Sequence, residues 1–437
     1  MRKLIGIRRE DKNIWERRVP LIPEHLNKLK TEFGIESLVQ PFERRAFAAD
    51  EFIASGSEIK ENLTDCPTIF GVKEVPINLL MENKTYLFFS HTIKGQSYNM
   101  PLLQKLLDLK CTLIDYECIT NEKGQRLVFF GRFAGLAGMI DALYGMGQRF
   151  QSLGFETPFQ IMKQAYQYVH LEEALEDVKV IGEQIKQNGL PKEITPLAVG
   201  FSGYGNVSKG AQEVFDLLPF NEISPAELLK LESGDTNKLY KVVFKEVDMF
   251  EPKDSALEFE LQDYFTHPEK YKSKFENYLG KMTVLINAIY WHDKCPMLIS
   301  KDYLKNNFDK VKLQLVADIS CDIDGAIQFT YKATEPDNPA FVYNPKTNSF
   351  NDGFAGEGIV DITIDNLPTE LPRNSSIAFG ESLIKFVPSI VNSDFTVPFD
   401  ELKVVPEIKN AIVVYNGKLT PKYEYLNKYL NNKYKIK

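Results

Sequence analysis

Several residues in this chain could do chemistry, and they are of two kinds. The first are titratable groups placed just after short apolar runs. Lys73 stands in GVKEVP beside Glu74, and a lysine next to a carboxylate can act as an acid–base group or as a carboxylate ligand. His91, in FFSHTIKGQ, comes after the run LFFS and carries a side chain that changes charge near neutral pH. Glu117, in IDYECI, would face inward after a further run. Arg18, in ERRVP, has the fork that pairs with a carboxylate through two hydrogen bonds. Taken singly, each also fits a plain role, as a solvated lysine or carboxylate, a structural histidine or an exposed arginine.

The second kind is glycine. Residues 197–212 read LAVGFSGYGNVSKGAQ. Leu197, Ala198 and Val199 suit a buried strand, Gly200, Gly203 and Gly205 a turn, and SKGAQEVFDLL a helix. That succession is a dinucleotide-binding unit. Gly203 would permit the tight turn and Gly205 the approach of a pyrophosphate, with Tyr204, Asn206 and Val207 completing the loop. The first helical turn would offer free N–H groups to that pyrophosphate. The third position of the pattern is Ser208, so the motif is GxGxxS, and Gly210 is expected to supply the close helix–sheet contact. An ordinary glycine turn is the plainer alternative. In such units an acidic residue about 20 positions on holds the ribose 2′-hydroxyl. Here that count reaches Ser224, which would accept a 2′-phosphate and leans the preference to NADP(H) over NAD(H). A shifted register onto Glu222 or Glu227 would reverse it.

These groups need elements to position them. Residues 3–9, 35–39, 68–72, 86–89 and 112–114 read as strands, with helical patterns such as EHLNKLKTEF between them. Strands alternating with helices predict an α/β sheet, whose functional residues lie just past the carboxyl ends of strands. Arg8 and Arg9, Lys73 and His91 all do so. Residues 133–152 predict a long helix bridging two domains. Residues 236–280 read as an insertion with helices, and 281–291 and 311–320 as further strands. The chain from about 360 onward would return to the first domain. The domains are thus 1–135 with 360–437, and 136–359.

Composition narrows the classes. A chain of 437 residues with 43% apolar and 26% charged residues can bury two cores. A net charge of −8 gives no global attraction for nucleic acid or an anionic membrane. No run is long enough to span a bilayer, and MRKLIGIRRED reads as a first strand, not a secretion signal. Five scattered cysteines form no CxxC and read as cytoplasmic thiols. His292 and Cys295 in HDKC have no second pair, so no metal is expected.

Taken together, IGIRRED…WERRVPLIP, GVKEVP, FFSHTIKGQ, GFSGYGNVSKGAQ, ADISCDIDGAIQF and DITIDNLPTELPRNSS occur in an order that resembles lysine–2-oxoglutarate reductase. This is the saccharopine-forming half of the aminoadipate-semialdehyde synthase family, and it is related to the lysine-forming saccharopine dehydrogenases, alanine dehydrogenase and transhydrogenase. The resemblance spans about residues 4 to 390. It implies two Rossmann-like α/β domains with parallel sheets flanking a cleft. It assigns Lys73 and His91 as an acid–base pair, Glu74 and Glu117 as carboxylates near the lysine, and Arg18 as a substrate ligand. Asp365 matches a residue at the cofactor, and Asp318 matches by its place within ADIS.

The implied reaction, a step of lysine degradation, joins L-lysine and 2-oxoglutarate and reduces the imine with NADPH to saccharopine. Its substrates carry three carboxylates, for which Arg18, Arg9 and Arg132 are candidate clamps. A lysine-forming NAD-dependent saccharopine dehydrogenase or a related amino-acid dehydrogenase is the first alternative, and a non-catalytic NADP sensor the second. The sequence admits a homo-oligomer, and no second catalytic domain is expected.

Overall fold

Short apolar runs make the strands, and most are buried on both faces, as parallel strands covered by helices must be. The computed structural model describes residues 3–430. The chain divides into two compact units, Met1–Phe130 with Pro372–Lys437, and Gly131–Leu371.

In the first unit β1 (Leu4–Ile7), β2 (Glu36–Val39), β3 (Glu58–Ile59), β4 (Thr68–Phe70), β5 (Thr85–Phe88) and β6 (Thr112–Asp115) run parallel. LIGI, TIF, TYLF and TLID are buried throughout. Helices Pro23–Phe33 and Met100–Asp108 bury Leu26, Leu29, Leu103 and Leu106 in the same core.

The second unit holds β7 (Ala198–Ser202), β8 (Phe220–Glu222), β9 (Leu239–Phe244), β10 (Phe250–Pro252), β11 (Tyr271–Ser273), β12 (Val284–Asn287), β13 (Leu315–Asp318), β14 (Ala340–Asn344), β15 (Ser349–Asp352) and β16 (Ile359–Ile362). Its main sheet runs β15-β14-β16-β13-β12-β7-β9-β8, and β10 with β11 forms a separate antiparallel pair. The chain then returns to the first unit, where β17 (Ile412–Tyr415) lies antiparallel beside β6 and β18 (Lys418–Leu419) closes that edge. The full order there is β18-β17-β6-β5-β4-β1-β2-β3.

Three expectations change. The stretch 236–280 is not wholly an insertion: β9 is an interior strand of the main sheet, hydrogen-bonded to both β7 and β8. Its buried Lys241, ion-paired to Asp216 at 2.7 Å, hides the apolar run. The return to the first unit starts at Pro372, not near 360, because β16 pairs with β13 and β14 of the second unit. The helix expected to bridge the domains, Gly131–Ser152, belongs wholly to the second unit.

That helix is held by two close approaches. A Cβ on Gly135 would meet the Val207 carbonyl oxygen at 1.9 Å, and one on Gly210 would meet that of Arg132 at 2.1 Å. Gly210 therefore makes a helix–helix contact in place of the expected helix–sheet contact.

Candidate functional site

In the first unit the carboxyl ends of neighbouring strands bring titratable groups together. Lys73 and Glu74 come after β4, and His91 after β5, its neighbour. The turn after β4 is fixed from beneath: the buried Glu10 carboxylate accepts the N–H of Val72 at 2.7 Å and of Lys73 at 3.0 Å. Burial raises the Glu10 pKa. His91 Nδ1 lies 2.7 Å from Glu74 Oε1, and the Lys12 ammonium is 3.0 Å from the same carboxylate. Burial raises Glu74, but its bond to His91, the charge there and that of Lys12 outweigh it and hold Glu74 at about 2.

His91 itself has φ +51°, with Asn99 donating to its carbonyl at 3.0 Å and Phe89 stacked on its ring. A left-handed histidine costs on the order of 1–3 kcal/mol and persists where neighbours over-determine it. Among the described residues no hydrogen bond or ion pair holds the Lys73 ammonium. Burial lowers its pKa, Arg18 lowers it further, and Glu16 and Glu74 oppose both. The cluster thus supplies a lysine that deprotonates more readily than usual, beside a histidine oriented by a carboxylate.

Other expected members stand elsewhere or are already engaged. Glu117 comes after β6 and pairs with Arg126. Glu16, not Glu117, joins Glu74 as a carboxylate acting on Lys73. The signal for Glu16 is its place in WERRVP, directly before the two arginines. Arg18 is 1% exposed, bonds Glu16 through Nε at 2.8 Å and Nη2 at 2.6 Å, and sits 4.1 Å over the Phe130 ring. Its fork is therefore turned to a carboxylate of its own chain and fixes Glu16. Arg9 pairs with Glu61 at the end of β1. Arg132 lies in the second unit and pairs with Glu213 at 2.6–3.0 Å, tying helix Gly131–Ser152 to helix Asn206–Phe215.

The second unit presents the glycine loop at the end of β7. Gly203 has φ +85°, a region that suits glycine. Gly205 is the N-cap of helix Asn206–Phe215, where no side chain caps the first turn and a Cβ on Gly205 would meet nothing within 4 Å. Open space over uncapped N–H groups fits a dinucleotide pyrophosphate. Tyr204 and Asn206 are exposed around it and Val207 half-buried.

Two of the expected cofactor ligands are engaged instead in structure. Asp318 is 1% exposed and accepts from Asn287 at 2.8 Å and Thr330 at 2.9 Å. The Thr330 hydroxyl also lies 2.8 Å from Asp361 Oδ2; with its one proton given to Asp318, its oxygen there accepts from the protonated Asp361 carboxyl. Burial raises Asp318 to about 6 and Asp361 well up, so the pair retains a proton and pins the ends of β12, β13 and β16. Ser224 caps helix Pro225–Leu229, exchanging bonds with Glu227. It lies past the edge strand β8, which is separated from β7 by β9. A residue there does not occupy the end of the strand next to the glycine loop, so the NADP(H) preference drawn from it loses its basis. Asp365 is exposed after β16, where its N–H donates to Thr334 at 3.0 Å.

Comparison with known proteins places this arrangement. The model of the alanine dehydrogenase/PNT N-terminal domain matches residues 6–137, and that of the C-terminal domain matches 236–422. The chain belongs to the alanine dehydrogenase/PNT family. Oxidoreductases that bind nicotinamide dinucleotides make up this family.

Alpha-aminoadipic semialdehyde synthase of Arabidopsis thaliana is 39% identical over 97% of this chain and 41% of its own length. The mitochondrial protein of that name from Mus musculus is 37% identical over 99% of this chain and 48% of its own. The chain therefore spans a little under half the length of these relatives. A solved L-alanine dehydrogenase superposes with a TM-score of 0.63 over 98% of this chain and 99% of that one, at 17% identity, and shares the fold. No described helix is long and apolar enough to cross a membrane.

Proposed function

We propose that this alanine dehydrogenase/PNT family member is a lysine–2-oxoglutarate reductase, joining L-lysine to 2-oxoglutarate and reducing the imine to saccharopine. The observation that carries the reading is the 2.7 Å contact of His91 with Glu74 beside a lysine of lowered pKa. Identity of 39% over nearly the whole chain to a semialdehyde synthase supports the substrate class.

Condensation begins when the substrate's side-chain ammonium loses a proton, and Lys73, whose pKa burial lowers, accepts it. Nitrogen attacks the keto carbon, and the carbinolamine then needs a proton on its departing hydroxyl. His91 delivers that proton, its ring held by Glu74. Positioned transfers of this kind contribute about 10²- to 10⁴-fold each. Glu16 and Glu74 tune Lys73, and Arg18 fixes Glu16. The reduced dinucleotide, held at the loop of Gly203, Tyr204, Gly205, Asn206 and Val207, supplies hydride to the imine when bound. Five free thiols support a reducing compartment such as the cytoplasm.

The test is loss of reduced-nicotinamide absorbance with lysine and 2-oxoglutarate, each omitted in turn. Turnover requiring both supports the reading. Turnover with pyruvate and ammonia instead assigns an alanine dehydrogenase activity.

A further inference from the structure

The strand order of the second unit moves the position that reads the adenosine ribose. In a dinucleotide unit that position lies past the strand beside the glycine-loop strand, because the ribose extends from the pyrophosphate across that neighbour's carboxyl end. Usually the neighbour is also the next strand in the chain. Here the next strand, β8, lies at the sheet edge, and β9 occupies the place beside β7. Their register pairs Ser202 with Phe244, and the Gly203 N–H donates to the Phe244 carbonyl at 3.0 Å. The glycine loop and the end of β9 therefore start from the same level of the sheet.

Two residues past Phe244 stands Glu246, partly exposed. It lies close enough to Tyr204 of the loop that, after desolvation, the charge of its carboxylate raises that phenol. Lys245 is exposed, and its backbone N–H is occupied by Asp248 at 2.9 Å.

We infer that Glu246 is the residue that selects the dinucleotide: its carboxylate accepts hydrogen bonds from the ribose 2′-hydroxyl and repels a 2′-phosphate, so that the chain takes NAD(H) in preference to NADP(H). The inference rests on the dinucleotide part of the proposed function and not on its substrates. Ser224, at the edge strand, has no part in the choice.

The test is a binding titration of the full chain with NADH and with NADPH, without lysine or 2-oxoglutarate, read by energy transfer from protein aromatics to the reduced nicotinamide. NADH is expected to bind about tenfold or more tightly than NADPH. Glu246→Ser should raise NADPH affinity about tenfold and lower that for NADH, and Glu246→Arg should invert the order. Ser224→Ala should leave the ratio as it is. Tighter NADPH binding by the unaltered chain, or a ratio indifferent to both Glu246 variants, overturns the inference. Binding of neither dinucleotide overturns it together with the glycine-loop assignment. Selective NADH binding without turnover of lysine and 2-oxoglutarate overturns only the substrate reading.

Discussion

The two eight-stranded sheets share a plan: a parallel body that ends, at one edge, in two antiparallel strands, β17 and β18 in one unit and β14 and β15 in the other. They differ at the carboxyl ends of their parallel strands. After β4 and β5 the first unit places side chains that titrate, and a buried carboxylate, Glu10, stiffens the backbone beneath them. After β7 the second unit has glycines and N–H groups that no side chain caps, so there the backbone is what the chain offers to a ligand. On the proposed function one scaffold would serve proton transfer in one unit and phosphate binding in the other, and a handful of loop residues would make the difference.

The largest effect should separate the two units' roles most cleanly. Lys73→Met is expected to lower kcat by about 10²- to 10⁴-fold while dinucleotide affinity, measured by titration, stays as it was. A parallel loss of affinity would break the division of labour.

Next, Glu74→Gln should release His91 and flatten the acid limb of stability. The folded-state pKa of Glu74 is depressed from 4.5 to about 2, so its contribution is complete above pH 4.5 and is lost as pH falls through that window. The unaltered chain should therefore lose up to about 3 kcal/mol more than the variant across it. Denaturant midpoints against pH check this, and equal slopes would refute it.

In the second unit, Gly210→Ala should cost about 1–3 kcal/mol by forcing its helix away from Gly131–Ser152, and should weaken dinucleotide binding. The pH behaviour of the Glu74–His91 pair should be untouched. Thermal melting with and without NADH reads the first effect. The smallest change is Ser224→Ala, a lost helix cap worth about 1 kcal/mol.

Much of this is readable from sequence where burial is symmetrical. The strands of the first unit are continuous apolar runs, and Lys73 and His91 stand at their ends. The glycine loop is equally plain, since GYGNVSKG comes directly after LAVGFS. β9 is hidden because Lys241 interrupts LYKVVF, and its charge is satisfied by Asp216, a residue remote in the chain. Ser224 misleads because counting along the chain assumes that the next strand is also the adjacent one. Arg18 looks available because its partner, Glu16, lies two residues away in a loop whose folding no periodicity describes.

The first unit is assembled from both ends of the chain. The second unit is a single uninterrupted stretch, but the first needs residues from both sides of it. Helix Pro372–Leu383 brings Ser376, which accepts the Val19 N–H at 3.0 Å, and Phe379, stacked 4.4 Å from Phe130. β17 then covers β6. During synthesis the second unit can close while β6 is still an open edge, and such edges invite pairing with other chains. Of the two units, the one bearing Lys73 and His91 is therefore the later to be completed, since β6 gains its neighbour only when residues 412–415 have been made.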